Sequence, residues 1–253
     1  MPDPAILSAD PPPGTRLLVT GGATGIGRAT AEAYAARGAR VCILDRVPVP
    51  AAPAGWICLE GSVTVGADVE RAFIEMDRAW GGVDVAFSNA GVAANKPSLE
   101  LTEAEWRQVL DVNLTGVFLT AQAAGRRMVA AGSGLILATS SIYGLTAAPN
   151  RVAYTATKGA VSQLVRTLAS EWGPSGVRVN AIAPGYVRTP MMEGLIQQGI
   201  LSAEPLLART TLRRLGHPAD IAGMACFLAS PAAAWVNGAI IPVDGGWMAN
   251  GGP

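Results

Sequence analysis

Short apolar runs separated by amphipathic stretches set the rhythm of this chain. The runs are Leu17–Thr20, Arg40–Leu44, Trp56–Leu59, Val83–Phe87, Leu135–Ala138, Val177–Ala183 and Ala239–Val243, four to seven residues each. Most lack the strict alternation of a half-exposed strand, so they read as strands covered on both faces. Between them, apolar residues recur at helical spacing. A helix is predicted over about Arg28–Ala36, and another runs to Trp80 with Val69, Phe73 and Met76 on one face. A long helix carrying Val109, Val112, Leu114 and Phe118 opens with a Thr102/Glu105 capping box. Asn113 lies inside it; Asn is a poor interior helix former, which points to a polar task or a local break. Further helices begin at Tyr154, through Val161, Leu164, Val165 and Leu168, and at Pro218, running to Leu228. Strands alternating with helices build an α/β, doubly wound parallel sheet of about seven strands with helices on both faces.

Two stretches break this rhythm. Val47 to Gly55 is rich in Pro and Ala and cannot form a helix, so the chain is expected to cross there as an extended loop. Residues 186–214 have weak periodicity and hold Met191, Met192, Leu195 and Ile196, as a lid over a site would. Residues 1–15 contain five prolines with Asp3 and Asp10, which does not read as a signal peptide; a loose arm is expected before a single domain spanning 16–253.

At 253 residues, half of them hydrophobic, the chain can bury one substantial core. Formal net charge is zero, with acids and bases mixed, which leaves no electrostatic case for nucleic acid or an anionic membrane. No apolar run approaches the ~20 residues of a membrane span. Cys42, Cys58 and Cys226 lie far apart in apolar runs and His217 is the only histidine, so no metal site is expected. Buried free thiols in a reducing cytosol fit best, which places the protein in the cytoplasm.

Chemistry gathers at the ends of the strands. Leu17–Thr20 runs into Gly21-Gly22-Ala23-Thr24-Gly25-Ile26-Gly27 and then a helix, the layout that brings a phosphate to a helix N-terminus. Asp45 ends the next strand, where an acid typically holds the ribose diol of NAD and repels the 2′-phosphate of NADP; Arg46 beside it leaves NADP open. The small residues Ser88-Asn89-Ala90-Gly91 let a ring system lie against the backbone. Tyr154 and Lys158 are four apart on one helix, so they share a face. The chain uses two lysines against seventeen arginines, and the two residue types are not interchangeable. A nearby cation is expected to lower the phenol's pKa toward the working range of a general acid/base.

In order along the chain stand T-G-x-x-x-G-x-G at Thr20 to Gly27, S-N-A-G at Ser88 to Gly91, Asn113, Ser141 thirteen positions before Tyr154, Y-x-x-x-K at Tyr154 to Lys158, and Pro184-Gly185. Together they resemble the short-chain dehydrogenase/reductase family over nearly the whole chain after Thr15. The resemblance implies a seven-stranded Rossmann sheet and a homotetramer built partly through the helices that carry Asn113 and Tyr154. It implies that Tyr154 is the acid/base on the substrate oxygen, that Ser141 bonds that oxygen, and that Lys158 lowers the Tyr154 pKa and holds the nicotinamide ribose. It implies a relay water positioned by Asn113. Thr24, Ile26, Asn89, Val187 and Thr189 match family positions that contact the dinucleotide, alongside Gly21, Gly25, Gly27, Asp45, Ala90, Gly91, Pro184 and Gly185. Two departures stand out: the Val47–Gly55 loop replaces a family helix, and Ser62-Val63 replaces the family's Asp-Val against adenine.

The activity implied is NAD-dependent interconversion of a secondary alcohol and its ketone, the substrate being a polyol, sugar or cyclic alcohol. Tyr143 and Asn150 are expected to bond extra hydroxyls, and Met191 to face an apolar part of the substrate. A 3-ketoacyl-thioester reductase is the enzyme alternative, and an inactive nucleotide-binding regulatory protein is the alternative of another class.

Overall fold

The computed structural model describes residues 8–250. Seven parallel strands form one sheet in the order β3-β2-β1-β4-β5-β6-β7. They are β1 (Arg16–Thr20), β2 (Arg40–Asp45), β3 (Ile57–Glu60), β4 (Val85–Ser88), β5 (Gly134–Thr139), β6 (Val177–Pro184) and β7 (Ile240–Val243). The helices are α1 (Gly25–Ala35), α2 (Gly66–Trp80), α3 (Glu103–Leu110), α4 (Gly116–Ala131), α5 (Val152–Trp172), α6 (Pro190–Gln197), α7 (Ala203–Arg209) and α8 (Pro218–Ala229). The seven-stranded Rossmann architecture expected from the sequence is therefore the one found.

Successive strand residues point to opposite faces, and both faces are buried. Leu18, Cys42, Leu44, Ala86 and Ile136 enter the layer shared with α2, α4 and α5. Leu17, Val19, Ile43, Phe87 and Leu137 enter the layer shared with α1 and α8. Each fully buried Leu, Ile, Val or Phe among them contributes about 1.5–3 kcal/mol of apolar transfer. That double demand explains the unalternated apolar runs.

The strand order reverses between β1 and β4, and register aligns the carboxyl ends there. Thr20 pairs with both Leu44 and Ser88, and Ser88 with Ala138. The glycine turn, Asp45, Ser88–Gly91, Ser141 and Pro184-Gly185 thus share one rim, where open parallel sheets bind ligands.

Three local outcomes differ from the sequence expectation. The predicted long helix is α3 and α4 joined by one π-helical turn, Asp111–Thr115, with fully buried Asn113 at its centre. Helix α1 starts at Gly25, inside the glycine turn: Gly25 takes φ 57°, and Gly27 leaves room for the helix to begin against the Gly21 carbonyl. Cys58 is exposed while Cys42 and Cys226 are buried, because β3 is the edge strand and alternates. The expected β2–β3 loop is present, and Arg28 holds it by donating to the Pro50 carbonyl at 2.9 Å and stacking 5.2 Å above Trp56.

Of the arm expected to be loose, residues 1–7 lie outside the described residues. The rest is anchored by Gly14 donating to Gly38 O at 2.9 Å, by Ser8 O accepting from Ala232 N, and by an Arg37–Asp10 ion pair. Among the described residues no helix is long and apolar enough to cross a membrane.

A Cβ on Gly27 would stand 2.2 Å from Gly21 O and 2.7 Å from Asn89 Nδ2. Gly27→Ala therefore costs about 1–3 kcal/mol of overpacking, lowering Tm by roughly 2–4 °C per kcal/mol in a chain this size. Calorimetry giving an unchanged Tm would contradict this packing.

Candidate active site

The glycine turn is shaped to receive an anion. Gly21 sits at φ 66°, and a Cβ there would come within 2.7 Å of Ala90 Cα. Thr24, at the N-cap of α1, makes no side-chain cap bond, and no acidic side chain stands in the first helical turn. The opening N–H groups and the positive end of the helix dipole are thus open to an anion. In front of them lies a cleft of about 290 Å³, lined on one side by Gly21, Thr24, Gly25 and Ile26 and on the other by Asn89, Ala90 and Gly91. Asp45, Arg46, Ser62 and Val63 close one end, and Tyr154, Lys158, Thr189 and Met191 the other. A dinucleotide fits this lining: backbone amides at one helix end for phosphates, a carboxylate beyond, and small residues opposite.

Several expected cofactor residues act at one remove. Gly27 is buried beneath the turn and spaces helix from strand. Asp45 Oδ2 accepts from Ala23 N at 2.9 Å, so the carboxylate braces the turn as well as facing the cleft. Asn89 Nδ2 donates to Gly21 O at 3.0 Å and its Oδ1 accepts from Thr139 Oγ1 at 3.2 Å, tying β1, β4 and β5 together. Pro184, Gly185 and Val187 line a neighbouring cavity instead of the cleft.

Where the two spaces meet stand Tyr154 and Thr139, which line both. Lys158, 2% exposed, donates to Thr139 O at 2.6 Å with its Nζ 5.7 Å from the Tyr154 ring centre. Burial pushes the Lys158 ammonium down to about 8. The expected lowering of Tyr154 by Lys158 is not what the fold shows. Burial raises the Tyr154 phenol, against a hydrogen bond from Ser141 and the charge of Arg151, which pull it down. Lys158 directs its ammonium to the Thr139 carbonyl, with Nζ 5.7 Å from the Tyr154 ring centre, and the burial of the phenol outweighs the groups that pull it down. Ser141 Oγ also accepts from Tyr143 N at 3.1 Å, which fixes its rotamer. Asn113 Oδ1 accepts from Val92 N and its Nδ2 donates to Val92 O, both at 2.8 Å. One Oδ1 lone pair remains for a water. A Cβ on Gly91 would meet Asn113 Oδ1 at 3.4 Å and Lys158 Nζ at 3.8 Å, so the two flank the same open spot.

Beyond Ser141 and Tyr154 lies a second cavity of about 150 Å³. Tyr143, Arg151 and Tyr186 form its polar wall and Met191, Met192 and Leu195 its apolar one. The Tyr143 and Tyr186 hydroxyls are bonded at 2.5 Å, and Trp247 packs edge-on against both rings. The expectation for Asn150 is corrected: it is exposed at φ 62° in the turn before α5 and lines neither space, because that conformation carries it outward. Its neighbour Arg151 faces the cavity. Tyr186 and Arg151 were not marked from sequence; Tyr186 follows Pro184-Gly185 at a strand end, and that position was the available signal. The stretch 186–214 supplies α6, capped by Thr189, and α7, and its ends are pinned where Gly216 exchanges hydrogen bonds with Tyr186 and Arg188.

Residues 21–248 match the family model described as enoyl-(acyl carrier protein) reductase. Over 242 residues the chain is 43% identical to a cis-4-hydroxycyclohexanecarboxylate dehydrogenase from Sinomonas cyclohexanicum, covering 92% of this chain and 96% of that protein. It is 39% identical over 246 residues to the 3-oxoacyl-acyl-carrier-protein reductase MabA of Mycobacterium tuberculosis, covering 96% of each. Among solved structures, a gluconate 5-dehydrogenase from Burkholderia cenocepacia, in complex with NADP and tartrate, superposes with a TM-score of 0.87 at 34% identity, over 94% of this chain and 96% of that one.

The depressed Lys158 pKa has a sign that stability can read. The folded protein sheds this proton at about 8 and the unfolded chain near 10.5, so between them the unfolded state binds more protons. Stability therefore rises with pH across that window, by at most about 3 kcal/mol. In Lys158→Met this contribution is absent, so the wild-type Tm should gain on the variant's between pH 8 and 10. A constant difference would contradict it.

Proposed function

The chain belongs to the short-chain dehydrogenase/reductase family, and on that footing we propose that it interconverts a small secondary alcohol and its ketone with NAD in preference to NADP. The observation that carries this is the position of Tyr154, which lines both the dinucleotide cleft and the small cavity, with Ser141 beside it on the cavity wall. When bound, the nicotinamide supplies the hydride acceptor or donor. Ser141 holds the substrate oxygen. Tyr154 takes the hydroxyl proton in oxidation and returns it to the carbonyl oxygen in reduction. Lys158 would hold the ribose of the cofactor, and with a water on Asn113 it would carry the proton between Tyr154 and solvent. With burial holding the phenol protonated, ketone reduction runs readily at neutral pH and oxidation gains as pH rises.

The NAD preference rests on Asp45 at the cleft's end. A fixed carboxylate there accepts from a ribose diol and repels a 2′-phosphate. The cavity suits a cyclic alcohol, sugar or polyol by its size, about 150 Å³, and by its pairing of hydroxyls with a methionine-rich wall. A relative at 39% identity that reduces a 3-oxoacyl thioester favours a second reading, a ketoacyl-thioester reductase. All four of Asn113, Ser141, Tyr154 and Lys158 are present and converge, which speaks against a purely regulatory protein. Exposed Phe118 and Val129 on α4 give the homotetramer implied by the family an apolar face to bury.

Tyr154→Phe should lower kcat about a thousandfold while NADH binding, read by its fluorescence, stays within about twofold; near-normal turnover would end the assignment. For the cofactor, kcat/KM should favour NAD over NADP, and Asp45→Ser should shrink that ratio by about tenfold or more. A wild-type preference for NADP would refute the role of Asp45.

A further inference from the structure

We infer that the substrate carries a carboxylate and that Arg151 is the residue that recognises it. The inference rests on the alcohol–ketone reading for the reacting carbon and adds a second point of attachment. Arg151 is the one charged side chain among the residues lining the small cavity, and no acid stands on that wall. Of the other sixteen arginines, eight (Arg16, Arg28, Arg37, Arg71, Arg78, Arg107, Arg127 and Arg214) are paired with a carboxylate among the described residues and eight are not, but none of the sixteen lines this cavity. The Arg151 guanidinium has no carboxylate or carbonyl partner among the described residues. Its contact is with a ring: it lies 5.3 Å from the centre of Tyr143. Stacking holds the planar group in place and leaves its edge donors free, the geometry that takes a carboxylate in a two-point bond.

The cation is close enough to the reacting residues to be felt there, since it pulls down the pKa of both Tyr154 and Tyr186. A second donor stands beside it. Tyr143 and Tyr186 share one hydrogen bond between two hydroxyls, so one phenolic proton of the pair has no acceptor among the described residues. Arg151 does not line the dinucleotide cleft, so cofactor phosphate does not account for it. The opposite wall of Ile142, Met192, Leu195 and Leu201 takes hydrocarbon. The ligand that satisfies all three sides is a small hydroxy acid: a hydroxyl at Ser141 and Tyr154, a compact apolar framework, and a carboxylate at Arg151. Hydroxycycloalkane carboxylates and their keto acids are of this class.

Binding and turnover test this separately. Calorimetry with NADH present would compare cyclohexanecarboxylate, which has no hydroxyl to oxidise, with neutral cyclohexanecarboxamide. The acid should bind at least tenfold tighter, Arg151→Met should erase that gap, and Arg151→Lys should keep part of it. Equal binding of acid and amide by the wild-type protein, or a gap that survives in Arg151→Met, would overturn the proposal. In turnover, 4-hydroxycyclohexanecarboxylate should exceed its methyl ester at least tenfold in kcat/KM, mostly through KM, and the ratio should approach one in Arg151→Met. An acid-selective binding gap without oxidation of any alcohol would sink the oxidoreductase reading and leave the carboxylate site standing.

Discussion

An ammonium removed from water must find an oxygen or give up its proton, and Lys158 does some of each. It donates to the Thr139 carbonyl at 2.6 Å in a fully enclosed setting, and its affinity for the proton falls to about 8. That one bond joins the helix that carries Tyr154 to the strand that leads into Ser141. It also closes a chain of contacts across the sheet: Gly21 O accepts from Asn89, Asn89 accepts from Thr139, and Thr139 accepts from Lys158. The glycine turn and the proton-handling residues are thereby held as one rigid piece. Moving any one of the three strands by an ångström would misalign the phosphate cradle with the tyrosine.

The parallel sheet supplies the rest. Because β1 and β4 are neighbours at the point where strand order reverses, the loops that follow them part in opposite directions and open the long cleft. The substrate cavity opens next to it, behind β5 and β6. Tyr154, Thr139, Thr189, Ile26 and Met191 belong to both spaces, so a ring held in the cleft faces whatever the cavity holds. The polar residues of the cavity wall stand on fixed elements, and Met191, Met192 and Leu195 stand on α6, in a stretch tethered through Gly216.

Much of this was legible in residues 16–250 because each strand must be apolar on both faces, and seven such runs leave few arrangements. The candidate catalytic residues were legible for another reason: Tyr154 and Lys158 lie one helical turn apart, and Ser141 follows two residues after the end of β5. What stayed hidden was long-range. Thr139 and Asn89 are fifty positions apart, and their bond follows from β4–β5 register, which no local pattern encodes. Asn150 and Arg151 differ in direction because one sits at positive φ and the other caps α5, a choice made by the turn and invisible to composition. Asn113 signalled a break without saying which. The π turn arises where its side chain reaches both polar groups of Val92. The direction of the Tyr154 pKa is set by burial, which spacing along one helix does not encode.

The enclosed state of Lys158 can be read on the atom itself. The chain has two lysines, so Lys96→Arg leaves Lys158 as the only one, and a protein grown on lysine labelled at Cε and Nζ gives a single side-chain signal. Its titration by NMR should have a midpoint of about 8. A midpoint near the 10.5 of a free lysine would mean that the ammonium is solvated, and the rigid link from the glycine turn to Tyr154 would not exist.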